Sequence, residues 1–154
     1  MKITLILALS IALNTSFLYS QAAEVAAPSK LDLEGAKKIA AKAEVYAKAK
    51  KWPLSIAIVN SEGNLLYFQR DPAAYSGSIE AAIQKAKSAN AFQRSTSAFV
   101  DGLKQGRTGL LSVPGIVAIE GGVPITLGGM HVGAIGVSGA KSVEDEETAK
   151  AALE

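Results

Sequence analysis

No cysteine occurs in the chain. That excludes disulfides, thiolate zinc sites and iron–sulfur clusters. His131 is the sole histidine, so no site can be built on a His pair. Aromatic residues are scarce, with four Phe, four Tyr and one Trp among 154 residues; the core must come from Ala, Ile, Val and Leu. The net charge is only +2 and its carriers are scattered. Without a basic stripe interleaved with aromatics, the electrostatic footprint of a nucleic-acid binder is missing. The one dense run of charge, Glu144–Glu147, reads as the acidic first turn of a helix rather than a calcium loop.

The start of the chain is a different material. Lys2 is followed by the apolar run Ile3–Leu13, and small residues close it at Ser20-Gln21-Ala22-Ala23. This is the pattern of a secretory signal peptide over residues 1–23, with cleavage after Ala22 or Ala23. The run is shorter than the ~20 residues a membrane span needs, so no stable membrane insertion is expected after cleavage. Residues 24–30 form a short tail, and residues 31–154 are long enough for one domain with a real core. The expected location is the periplasm or the exterior. There a chain without disulfides is held by its core alone.

Within 31–154 the hydrophobic periodicity alternates between two types. Asp32 looks like an N-cap, and Ala36, Ile39, Ala40, Ala43, Tyr46 and Ala47 follow at helical spacing. That helix should stop near Lys51, ahead of Trp52-Pro53. Leu54–Asn60 and Leu65–Arg70 read as strands joined by a short turn, hence an antiparallel hairpin. Ser78 is a plausible N-cap for a helix over 79–92, whose stripe is Ile79, Ala82, Ile83, Ala86 and Ala89. A second helix is expected over Ser97–Gln105, with Gly106 past its end. Three apolar runs, Ile116–Ile119, Val123–Leu127 and Val132–Val137, are separated by glycine turns and predict a meander. Ser142 begins a last helix. The expected order is α-β-β-α-α-β-β-β-α: an α+β fold with a five-stranded antiparallel sheet covered by helices.

Several of these segments match a known pattern. Leu54–Asn60 with Glu62-Gly63-Asn64-Leu65, and Phe68-Gln69-Arg70-Asp71, resemble its first hairpin. Ser78-Ile79 with Ala82 and Lys85-Ala86 resembles its "Ser-Ile…Ala-x-x-Lys-Ala" helix. Gly121-Gly122-Val123-Pro124-Ile125 resembles its "Gly-Gly-x-Pro" turn, and Val132–Gly139 its "Val-Gly-Ala-Ile-Gly-Val-Ser-Gly" signature. Asp145-Glu146 with Ala149 matches the closing helix. The chain thus resembles the GlcG/HbpS-like haem-binding family, also called the haem-degrading domain, over residues 31–154. The resemblance implies a profilin-like or PAS-like layered sandwich and homo-oligomers. It implies haem as cofactor or partner, with degradation or redox sensing in some members. Other members sit with glycolate utilisation or form part of a corrinoid adenosyltransferase type. Fold alone does not fix which of these applies.

Candidate site residues follow. A haem iron needs an imidazole, thioether or phenolate donor. With C-x-x-C-H attachment excluded, His131 is the candidate iron ligand, with Met130 beside it; otherwise His131 is an exposed turn residue. Tyr75, in a loop, and Tyr67, on a strand, are the oxygen donors. Lys85 shares a helix face with Ser78, Ala81 and Ser88 and could meet a haem propionate or a small carboxylate. Gly121, Gly122 and Pro124 would let backbone N–H groups approach an anion, or serve a tight turn alone. Ser138-Gly139 lacks the surroundings of a nucleophile elbow. The main expectation is an exported protein that binds haem or a related tetrapyrrole, with weak haem degradation as its only foreseen catalysis. The alternative is binding or conversion of a small hydroxy or keto acid held by Lys85 and the Gly121-Gly122 turn.

Overall fold

A computed structural model describes residues 30–154. The expected signal peptide over 1–23, and all of the tail but Lys30, lie outside the described residues. Asp32 caps the first helix as expected, its carboxylate accepting the Gly35 N–H at 2.7 Å. This helix, α1, spans Leu33–Lys50 and buries Ala36, Ala40, Ala43 and Ala47. It ends where Lys51 turns left-handed, at φ 61°, and the Trp52 N–H reaches back to the Ala47 carbonyl. That closure suits a chain about to enter proline. Strands β1 (Ser55–Asn60) and β2 (Leu65–Arg70) follow, then helices α2 (Gly77–Phe92) and α3 (Ser97–Lys104). A 3₁₀ turn at Thr108–Ser112 leads to β3 (Gly122–Leu127), β4 (Met130–Ser138) and α4 (Ser142–Ala151).

The sheet has four strands, not five, in the order β2-β1-β4-β3, all pairs antiparallel. The expected strand at Ile116–Ile119 is absent. That segment instead crosses α2, where the Val117 N–H donates to Ser88 Oγ at 3.0 Å. It thus leaves β3 as a sheet edge, and Pro124, which brings no N–H to a ladder, fits an edge strand. The three-strand meander is therefore a single hairpin. Its turn is Gly128-Gly129 alone, at φ 57° and 81°, the positive pair a two-residue type I′ turn requires. Met130 and His131 belong to β4, not to the turn.

Strand alternation sorts the core into two layers. Ile56, Ile58, Ile135 and Val137 face α1 and α4, together with Leu54, Ile125 and Ala149. Ala57, Val59 and Ala134 face the other way, onto Ala82, Ala86 and Ala89 of α2. Gly136 shows how near α2 lies to the sheet: a Cβ there would sit 2.0 Å from the Ala82 carbonyl oxygen. Helices cover both faces, so β1 reads as a continuous buried run.

Candidate functional site

The sequence candidates fall at three places along α2 rather than at one. Midway along it, Lys85 is buried. Its Nζ donates to Asp145 Oδ2 of α4 at 2.8 Å and to the Val137 carbonyl at 3.0 Å. Asp145 Oδ1 accepts the Ala140 N–H at 3.0 Å. Lys85 thus runs from one layer to the other past the sheet, through a gap that Gly121 leaves open. A Cβ at Gly121 would lie 3.0 Å from that Nζ and 2.6 Å from the Val137 oxygen. Burial pushes the Asp145 carboxyl above its ordinary range, while the Lys85 hydrogen bond and charge pull the other way.

This arrangement corrects the reading of Lys85 as a cation awaiting a ligand carboxylate: its anion is Asp145. The glycine pair is likewise occupied from within. Gly122 N–H donates to Thr96 Oγ1 at 3.0 Å and the Gly122 carbonyl accepts the Thr96 N–H at 2.9 Å. A Cβ at Gly122 would sit 2.4 Å from the Lys85 carbonyl, so closeness to α2 is what glycine serves there.

At the start of α2, Ser78 is inside the helix and buried, not its N-cap. Its hydroxyl donates to the Tyr75 carbonyl at 2.6 Å and meets Ser55 Oγ at 2.8 Å. The Tyr75 ring is exposed. Tyr67 packs against the Ile-rich core and donates its hydroxyl to Gln69 Oε1 at 3.2 Å. Ser138 is buried.

At the far end of α2, His131 is half-buried, and its Nε2 lies 2.8 Å from Asn90 Oδ1. Asn90 Nδ2 in turn donates to the Ser61 carbonyl at 3.1 Å. His131 Nδ1 is buried without a hydrogen-bond partner among the described residues, an uncommon state for a buried polar atom. Met130, next to it, is 44% exposed, as is Leu127 across the hairpin at 39%. Ser78 and Asn90 are twelve positions apart on one helix, roughly 18 Å at 1.5 Å per residue, so the Tyr75–Ser78 and His131–Met130 groups do not converge in one chain.

Sequence reasoning missed Asn90 and Asp145. Asn90 did carry a signal: it continues the buried spacing Ala82–Ala86 by one more step of four, where an apolar residue would be expected. Asp145 gave none, because an acid in a first turn is explained by the helix dipole. A cleft of about 150 Å³ beside Trp52, Leu54, Gln69 and Arg70 is lined by none of the sequence candidates. Among the described residues no cluster of three His, Cys, Asp or Glu could hold a metal ion, and no helix is long and apolar enough to cross a membrane.

A four-stranded antiparallel sheet clasped between two helices and a third, with a lysine–aspartate bolt through it, defines a small layered α+β domain. The chain belongs to the family described as haem degrading protein HbpS-like, whose model matches residues 31–154. It is 33% identical to protein GlcG of Escherichia coli K12 over 110 residues, 70% of this chain and 81% of GlcG. A crystal structure of a Streptomyces reticuli HbpS double mutant superposes with a TM-score of 0.74 at 32% identity, covering 87% of this chain and 92% of HbpS. The complex of PduOC with haem gives a TM-score of 0.75 at 26% identity, covering 81% of this chain and 94% of PduOC.

Proposed function

We propose that this is an exported protein that binds haem or a related tetrapyrrole reversibly, as a homo-oligomer, in haem or iron handling. The observation that carries the reading is the unpartnered Nδ1 of His131. It belongs to the one imidazole of a chain that shares its fold with PduOC, itself seen in complex with haem. The donor set fits the group. Imidazole is a common haem-iron ligand and His131 offers one; Met130, its neighbour on β4, points to the opposite face of the strand. Bound haem would supply the iron-centred redox and oxygen chemistry, while this chain's residues would position and shield it. Tyr75, exposed at the other end of α2, is the alternative donor.

Export is supported by the composition of residues 1–23. Self-association is supported by an apolar groove of about 520 Å³ on the outer side of α1, where Ala41, Val45, Tyr46 and Ala49 meet Ala151. That groove lies on the α1 side of the sheet, away from His131 on the α2 side, so it bears on assembly and not on the haem slot itself. The hydroxy-acid alternative is not carried forward, because Lys85 and the Gly122 N–H already have partners inside the chain.

The test is titration of the mature chain with haem. A shifted Soret band that weakens at least about tenfold in His131→Ala, on the scale of losses at metal-site residues, supports the reading. No spectral change at micromolar protein would refute it. Light scattering reads the oligomer, and N-terminal sequencing of the periplasmic fraction reads cleavage after Ala22 or Ala23.

A further inference from the structure

The Ser61 carbonyl can only accept a hydrogen bond, so Asn90 must turn its NH₂ group toward it, and the 3.1 Å contact has that sense. Asn90 Oδ1 is thereby left facing the imidazole at 2.8 Å. An amide oxygen also only accepts, so Nε2 must carry the proton. In a neutral ring, Nδ1 then holds a bare lone pair, and this is the atom found buried without a partner.

The backbone around the ring is shaped to the same end. Between Ile125 and Thr126 the β3–β4 register shifts, Ile125 pairing with Gly133 but Thr126 with His131. Val132 is the extra residue, and it joins Ile135 in the layer facing α1. A β-bulge of this kind re-aims the next side chain. Here it turns His131 to the α2 face, where Asn90 stands. The neighbouring Gly128-Gly129 turn is open, for a Cβ at either glycine would meet nothing within 4 Å. Haem binding at this ring requires the buried Nδ1 to be uncovered.

We infer that Asn90 is a positioning residue that sets the tautomer of His131, so that Nδ1, not Nε2, is the ring atom presented to the iron of a bound haem. This rests on the haem reading above. It gives His131 the arrangement of metal-bound imidazoles, with one ring N–H held by a carbonyl-type acceptor and the other nitrogen left for the metal.

The test begins on haem-free, ¹⁵N-labelled mature protein at neutral pH. Two-bond ¹H–¹⁵N spectra should place the His131 proton on Nε2. A proton on Nδ1 overturns the inference whatever haem does. Haem titrations of Asn90→Ala and Asn90→Asp follow, with thermal melts to confirm folding. Asn90→Ala should bind haem about tenfold more weakly, as loss of an outer-shell partner does, with an altered Soret band. Asn90→Asp, whose carboxylate still accepts from Nε2–H but gives up the donor to the Ser61 carbonyl, should restore the Soret band and part of the affinity. If Asn90→Ala does not fold, the wild-type tautomer and Asn90→Asp decide. Haem affinity and spectrum equal to wild type in Asn90→Ala sink the positioning role but leave haem binding standing. No binding by wild type sinks both.

Discussion

The two faces of the sheet are held by different physics. Toward α1 and α4 the strands present Ile56, Ile58, Ile135 and Val137, and the helices answer with alanines, joined by Leu31 just ahead of α1. Large side chains there fill space and are removed from water. Toward α2 the strands present Ala57, Val59, Ala134 and Gly136, and the helix answers with Ala82, Ala86 and Ala89. Apart from Val59, little side-chain volume is buried on that side. Backbone lies almost on backbone, and the buried polar residues Ser55, Ser78, Lys85, Ser88 and Asn90 cluster there. Stability on the first face comes from volume. On the second it depends on closeness and on every polar group finding a partner, so His131 Nδ1, a buried side-chain atom that finds none among the described residues, stands out.

The sharpest way to break this comparison is at the bolt between the layers. Removing one member of a buried pair leaves an uncompensated charge, a loss of about 3–5 kcal/mol, whereas replacing both by apolar residues is often neutral. Asp145→Ala should therefore cost that much in denaturant unfolding, and Lys85→Met with Asp145→Leu should recover most of it. A double variant no better than the single one would show that the pair's charges are not what matters. Next come two adjacent positions on opposite faces. Ile135→Ala shrinks the oily face and should cost about 2–5 kcal/mol. Gly136→Ala enlarges the close face and should cost about 1–3 kcal/mol by overpacking, against the larger loss from the void. Tolerance of Gly136→Ala without loss would mean that α2 can lift from the sheet and that backbone closeness is not what holds this face.

The same division explains what could be read from the sequence. Helix α1, with Asp32 as cap and alanines four apart, was legible because local chemistry and burial agree there. So was the β1–β2 hairpin, from its short turn and alternating isoleucines, though not the slip in its register between Ile58 and Val59. The extra strand at Ile116–Ile119 misled because apolar content says that a segment is covered, not by what. It lies across α2, tied to Ser88. Lys85 and the glycine pair were legible as special positions but not in role, since their partners Asp145, Thr96 and Val137 are brought there by the chain's long-range topology. His131 was singled out as a candidate, yet alternation along β4 would aim it with Ile135. The bulge at Val132 turns it to Asn90 instead, and its mark in the sequence is the neighbouring Gly133, a glycine inside a strand.

The smallest expected effect contrasts two of the ties that α4 makes. On its exposed side Glu147 accepts a hydrogen bond from Tyr46 of α1 and lies 3.3 Å from Lys50. The Tyr46 bond first, and the Lys50 contact second, hold its carboxyl below the ordinary value of 4.5. A carboxyl lowered by folding contributes stability that is complete above its unfolded value and fades as pH falls through the folded one. Buried Asp145 has the opposite sign. Its raised carboxyl binds a proton more tightly in the fold, so its ionisation weakens the fold as pH climbs from the ordinary 3.8 through the raised value. Plotted against pH, the stability gap between wild type and Glu147→Gln should be flat near neutrality and close on acidification below about 4.5. Added salt should narrow it, because exposed pairs are screened. A gap that persists unchanged at acid pH would mean that Glu147 ties α4 to α1 by packing, and that the clasp on the oily face owes nothing to charge.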